Sequence, residues 1–121
     1  MPRNLVKVLD KNFSDIKAGQ RMLISSPESV AEYIKSIPHG QTRTVKEMRL
    51  QLAEQSQADA TCPVSTGIFL RLAIEQALST GLISACDLPF WRVVDPNHPV
   101  VKKLGLDPDL IGHLREKERE S

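Results

Sequence analysis

Ile37-Pro38-His39-Gly40-Gln41-Thr42-Arg43-Thr44-Val45-Lys46-Glu47 is the stretch that decides how this chain is read. Pro38 has no backbone N–H and disfavours helical geometry at Ile37, so a helix arriving from the N-terminal side stops there. His39-Gly40 supplies the turn. Thr44-Val45-Lys46-Glu47 has the form of a capping box, in which the threonine hydroxyl and the glutamate carboxylate satisfy two backbone donors at the start of a new helix. Two helices joined by a short turn are expected here.

Working outward, Ser26 caps the incoming helix, Pro27 suits its first position, and Val30, Ile34 and Ile37 recur with helical spacing. The outgoing helix buries Val45, Met48 and Leu52, and polar residues 55–59 read as a loop. A third helix opens at Cys62-Pro63 and runs to about Ser79, with Gly81 as its stop. Its apolar residues, among them Ile68, Leu70, Ala73, Ile74 and Leu78, cover most of its circumference, which predicts a core helix buried or covered on several sides. Phe90-Trp91-Arg92-Val93-Val94 has strand composition, residues 95–99 form a turn cluster, and Val100-Val101 returns as an edge strand beside Pro99. A last helix starts at Asp107-Pro108, with Leu110, Ile111 and Leu114 on one face. Residues 1–25 show no clean period, with short extended pieces at Leu5–Val8 and Met22–Ile24. The expected fold is helix-rich α+β, resembling a winged helix-turn-helix with a small β wing and a C-terminal helix. Residues 1–25 form a basic N-terminal arm in this reading, and residues 26–121 form the domain.

A chain of 121 residues has room for one domain, which can bury a core without disulfides or metals. The net charge of +1 selects no partner, but residues 1–25 carry Arg3, Lys7, Lys11, Lys17 and Arg21 against only Asp10 and Asp15. Such an arm suits phosphate contact and equally suits solubility. Cys62 and Cys86 are the only cysteines, and no CxxC or HxxxH spacing occurs, so no metal or cofactor is expected. Without an apolar leader or a membrane-length run, the expected location is the cytoplasm, with reduced thiols.

Two motifs raise the reading above element order. Ile37-Pro38-His39-Gly40-Gln41-Thr42-Arg43-Thr44 and Pro89-Phe90-Trp91-Arg92-Val93-Val94 resemble stretches of the alkylguanine–DNA alkyltransferases, also called methylated-DNA–protein-cysteine methyltransferases. Their second motif reads Pro-Cys-His-Arg-Val-Val, and Gly81 falls at their spacing before it. The resemblance spans roughly residues 28–120 and implies a DNA-binding winged helix. The family's acceptor cysteine and its histidine correspond to Phe90 and Trp91, which neither form a thiolate nor move a proton, so alkyl transfer is closed. The family's phosphate-pressing tyrosine corresponds to Val45, and its asparagine hinge to Leu82. Its intercalating arginine has no unambiguous counterpart, Arg71 being the only arginine near. Alkyltransferase-like proteins also lack the cysteine and still bind alkylated DNA, although they keep the tyrosine and arginine. Residues 62–69, Cys-Pro-Val-Ser-Thr-Gly-Ile-Phe, are similar to a Cys-Pro-x-Thr/Ser-Thr-Gly-Ile-Phe signature of a further branch.

The resemblance implies a non-catalytic protein that binds double-stranded DNA, extending to recognition of modified or alkylated guanine for repair. The alternatives are a winged-helix scaffold for protein contacts and a thiol enzyme using Cys62. The residues singled out for DNA are Arg43, Thr44, Lys46, Ser65, Thr66, Gly67 and Arg71. Arg43 and Lys46 flank a helix start, and Ser65-Thr66-Gly67 offers hydroxyls and bare backbone at another. The same residues also suit solvated surface and close helix packing. Phe90, Trp91 and Arg92 line a remnant pocket, where the two rings either cover a flipped base or fill the old space. Cys62, at a helix start, is either a reactive thiol or a small buried residue.

Overall fold

In the computed structural model, which describes residues 5–79 and 88–120, the elements run β1 (Leu5–Val8), β2 (Arg21–Ile24), α1 (Pro27–Ser36), α2 (Val45–Gln55), β3 (Ala60–Thr61), α3 (Pro63–Leu78), a 3-10 turn (Phe90–Arg92), α4 (Pro99–Lys103) and α5 (Pro108–Glu120). The protein is helix-rich α+β, with a three-stranded sheet ordered β1-β2-β3 among the described residues. No described helix is long and apolar enough to cross a membrane.

The helix starts follow their local signals. The Ser26 hydroxyl accepts the Ser29 N–H ahead of α1. At α2 the full capping box forms, Thr44 Oγ1 accepting the Glu47 N–H and Glu47 Oε1 accepting the Thr44 N–H, each at 3.0 Å. The Asp107 carboxylate accepts the Asp109 N–H at the start of α5. Gly81, the expected stop of α3, lies outside the described residues.

Gly40 holds the turn between α1 and α2 for two reasons. Its φ of +86° is costly for a residue with a side chain. A Cβ there would also sit 3.3 Å from the Glu118 carbonyl oxygen, because α5 closes over this turn. Gly40→Ala is therefore expected to cost about 1–2 kcal/mol, checked by denaturant unfolding. An unchanged midpoint would mean that the turn relaxes freely.

From Leu5 onward, the residues expected as a basic arm are built into the fold. β1 and β2 form an antiparallel hairpin, and β2 pairs in parallel with β3, Met22 opposite Ala60 and Leu23 opposite Thr61. Leu23 enters the main core, whereas Met22 joins Leu9, Ile16 and Cys62 in a second, smaller one. A strand buried on both faces shows no alternation, which is why no period was legible here. Arg49 of α2 fastens this layer. Its guanidinium donates to the Thr61 carbonyl from Nε and Nη2 (3.1 and 2.9 Å) and pairs with Asp15 at 3.0 Å. In return, the Thr61 hydroxyl donates to the Arg49 carbonyl.

The wing expected over Phe90–Val94 and Val100–Val101 does not form. Phe90–Arg92 is a tight turn in which the Val93 and Val94 N–H groups both donate to the Phe90 carbonyl. Successive side chains of a strand point to opposite faces, whereas this turn carries both Phe90 and Trp91 into the core. Their rings meet edge to face, with centroids 5.5 Å apart. Pro99 does not flank an edge strand. It opens α4, with His98 as its cap, and Val100 and Val101 are buried. α3 is covered on several sides and open on one. Leu70, Ala73 and Ile74 are buried and α1 packs against the helix, yet Val64 and Ile68 stay exposed on the face turned toward α4.

Candidate nucleic-acid interface

The capping box that starts α2 holds Arg43 just ahead of the helix. The Arg43 N–H donates to the Arg92 carbonyl at 2.7 Å, tying this segment to the Phe90–Arg92 turn. Its guanidinium folds back, donating to the Thr42 carbonyl and to Gln41 Oε1, both at 2.9 Å. Beside it opens a cleft of about 320 Å³, bounded by the start of α2, by Val93, Asp95 and His98, and by Arg115 of α5. Arg115 is itself held in place, its Nε donating to the Trp91 carbonyl at 2.7 Å. Charges in this cleft balance, Arg43 and Arg115 against Glu47 and Asp95.

A second cleft, of about 380 Å³, lies between the exposed face of α3 and the start of α4. Val64, Gly67, Ile68 and Arg71 form its α3 wall, and His98, Pro99, Val100 and Lys103 face them. Arg71 and Lys103 make it cationic, and no carboxylate lines it. Glu75, one turn along α3, lies 3.8 Å from Arg71 as an exposed pair that water screens. A Cβ added at Gly67 would meet only open space, so a ligand can approach the backbone closely here. His98 lines both clefts, so the two adjoin at that residue, and together they make up a trough between the start of α2 and the middle of α3.

Of the residues singled out in the sequence, Arg43 and Thr44 lie on the first cleft, and Gly67 and Arg71 on the second. Lys46 does not join them. It lines a small hollow on the other flank of α2 with Asp15, Arg49 and Leu50. Thr66 is fully buried and donates its hydroxyl to the Cys62 carbonyl at 2.6 Å, so it presents nothing to a phosphate. The Ser65 hydroxyl is also buried. Both lie in the first turn of α3, whose open side carries Val64, Gly67 and Ile68.

Phe90 and Trp91 line none of these clefts. Phe90 has no exposed surface, and both rings belong to the main core. Arg92 is a clamp between elements. It forms a double hydrogen bond with the Glu118 carboxylate (3.0 Å from Nε, 2.9 Å from Nη2) and donates from Nη1 to the Ile37 carbonyl at 2.7 Å. One side chain thus joins the end of α1, the turn at Phe90 and the end of α5. Burial pushes the Glu118 carboxyl upward. The opposing effects of Arg92, the Trp91 indole and His39 outweigh it and hold the group below its usual value. Cys62 caps α3, its Sγ accepting the Ser65 N–H at 3.5 Å, and it is buried against Leu9, Ile16 and Met22. That position closes it to the access a reactive thiol requires. Among the described residues no group of three or more His, Cys, Asp or Glu side chains is placed to hold a metal ion.

His98, Lys103 and Arg115 escaped the sequence reading. Val64, Ile68 and Arg71 stand at i, i+4 and i+7, a stripe visible in the sequence but not separable there from the rest of an apolar helix. Lys103 and His98 carried no such signal, because they meet α3 only through the packing of α4. No family model, curated protein or solved structure matches the chain.

Proposed function

We propose that this protein binds double-stranded DNA without catalysis, in the manner of an alkyltransferase-like protein. In this reading α2 and α3 act as a helix-turn-helix, and the open face of α3 lies toward the duplex. The observation that carries the proposal is the cationic stretch of the trough, lined by Arg71 and Gly67 of α3 and by Lys103 of α4 and by no carboxylate. Arginine and lysine at such a cleft neutralise phosphates, and Gly67 lets a backbone pass close to the helix. The neighbouring cleft offers donors from Arg43 and Arg115 beside acceptors from Glu47 and Asp95, the mixture that the edge of a purine requires. Recognition of a modified or alkylated guanine belongs in that cleft and not at Phe90 and Trp91.

A salt titration tests the proposal. Each phosphate neutralised contributes about 0.9 to the slope of log affinity against log salt, so contacts from Arg43, Arg71 and Lys103 give a slope of roughly −3. Arg71→Ala with Lys103→Ala is expected to flatten this by nearly 2 and to weaken all duplex sequences alike. Absence of duplex binding at low salt would transfer the trough to a protein partner, a reading favoured by the exposed side chains of Val64 and Ile68 on the same wall.

A further inference from the structure

We propose that His98 is a proton-linked contact for a phosphate group in the trough, neutral while the trough is empty and charged when it is filled. This rests on the reading of the trough as a polyanion site.

His98 Nδ1 accepts the Val100 N–H at 3.1 Å, so the proton of the neutral ring sits on Nε2. That bond supplies the cap of α4, and Val100 is buried. Charging the ring places a proton on both nitrogens and leaves the Val100 N–H without its acceptor, which opposes protonation in the free protein. Burial acts in the same direction and holds His98 below the usual imidazole value, with Asp95 opposing it.

Several charged groups surround the ring. His98 shares its clefts with Arg43 and Glu47 from the α2 end, Arg115 of α5, Arg71 of α3, Lys103 of α4 and Asp95 of its own segment. Of these, Asp95 is the charge that acts on the free ring, and it favours protonation, so burial and the Val100 bond are what oppose it. A phosphodiester bound between Arg71 and Lys103 adds negative charge to the cleft that His98 lines and raises the affinity of the imidazole for a proton. By linkage, the proton then raises affinity for the phosphate by the same factor.

The expected result is tighter duplex binding as pH falls from about 8 to about 5.5, by about tenfold for each unit by which bound phosphate raises the His98 pKa. Over the same interval the salt slope steepens by about 0.9, the equivalent of one added ionic contact. His98→Asn keeps a favourable cap for α4 and removes the titration, so its slope is the same at both pH values. His39→Gln and His113→Gln keep the wild-type behaviour. A companion NMR titration follows the His98 ring with and without inorganic tripolyphosphate, and its midpoint is expected to rise with the anion.

A wild-type duplex slope unchanged by pH would overturn the inference and leave the DNA reading standing, as would retention of the pH effect in His98→Asn. Failure of any duplex to bind, with the His98 midpoint still raised by tripolyphosphate, would support the inference and overturn the DNA reading. A His98 midpoint unmoved by duplex and by tripolyphosphate would overturn the inference outright.

Discussion

Phe90→Ala is expected to lower folding stability by about 3–5 kcal/mol, the range for deleting a large ring from a packed interior. The ring is wholly buried, packs edge to face on Trp91, and sits in the turn that joins α5 to the rest of the core. Chemical denaturation reads the loss directly, and a cost below about 1 kcal/mol would show that the surroundings collapse into the space. Phe90→Cys carries the same argument into chemistry. It places a thiol at the position that the proposed resemblance aligns with an alkyltransferase acceptor, but in a site with no exposed surface and with Trp91 where a base would be needed. Neither the wild-type protein nor Phe90→Cys should take label from alkylated DNA. Stoichiometric labelling of the variant would reveal a pocket at this turn, and labelling of the wild type would point to a cysteine acceptor such as Cys62.

Arg92→Ala should cost about 3 kcal/mol, near the low end for breaking a buried ion pair, since both side chains keep 13% exposure. The loss has two parts. Glu118 is left as a poorly solvated carboxylate, and the Ile37 carbonyl loses a donor at the end of α1. The first part depends on pH with a definite sign. The Glu118 pKa is depressed in the folded protein, so its stabilising contribution is present above its usual value of 4.5 and is lost as pH falls through the folded value. The stability difference between wild type and Arg92→Ala should therefore shrink on acidification below about 4.5 while the Ile37 part persists. Parallel pH–stability curves for the two proteins would show that the Arg92–Glu118 bond contributes nothing.

Arg92 clamps α1, the Phe90–Arg92 turn and α5 together, whereas Phe90 and Trp91 occupy interior space and contribute apolar burial.

The starts of the main helices are legible in the residues alone, because a helix start is settled within a few positions. Ser26-Pro27, the Thr44–Glu47 box, Cys62-Pro63 and Asp107-Pro108 each carry their own caps, and each opens a helix in the structure. His98-Pro99 carried the same signal for α4, but the β-branched pair Val100-Val101 pulled the reading toward a strand. Only the tertiary structure decided the rest. The parallel pairing of β2 with β3 joins segments on either side of α1 and α2, and a two-residue strand has no period to read. The open face of α3, the placing of Arg71 and Lys103 on one cleft, and the burial of Phe90, Trp91 and Thr66 all depend on which neighbour reaches which surface. Local hydrogen bonding fixes the ends of helices, but exposure is a property of distant segments brought into contact, and the chemistry of the candidate site follows from exposure.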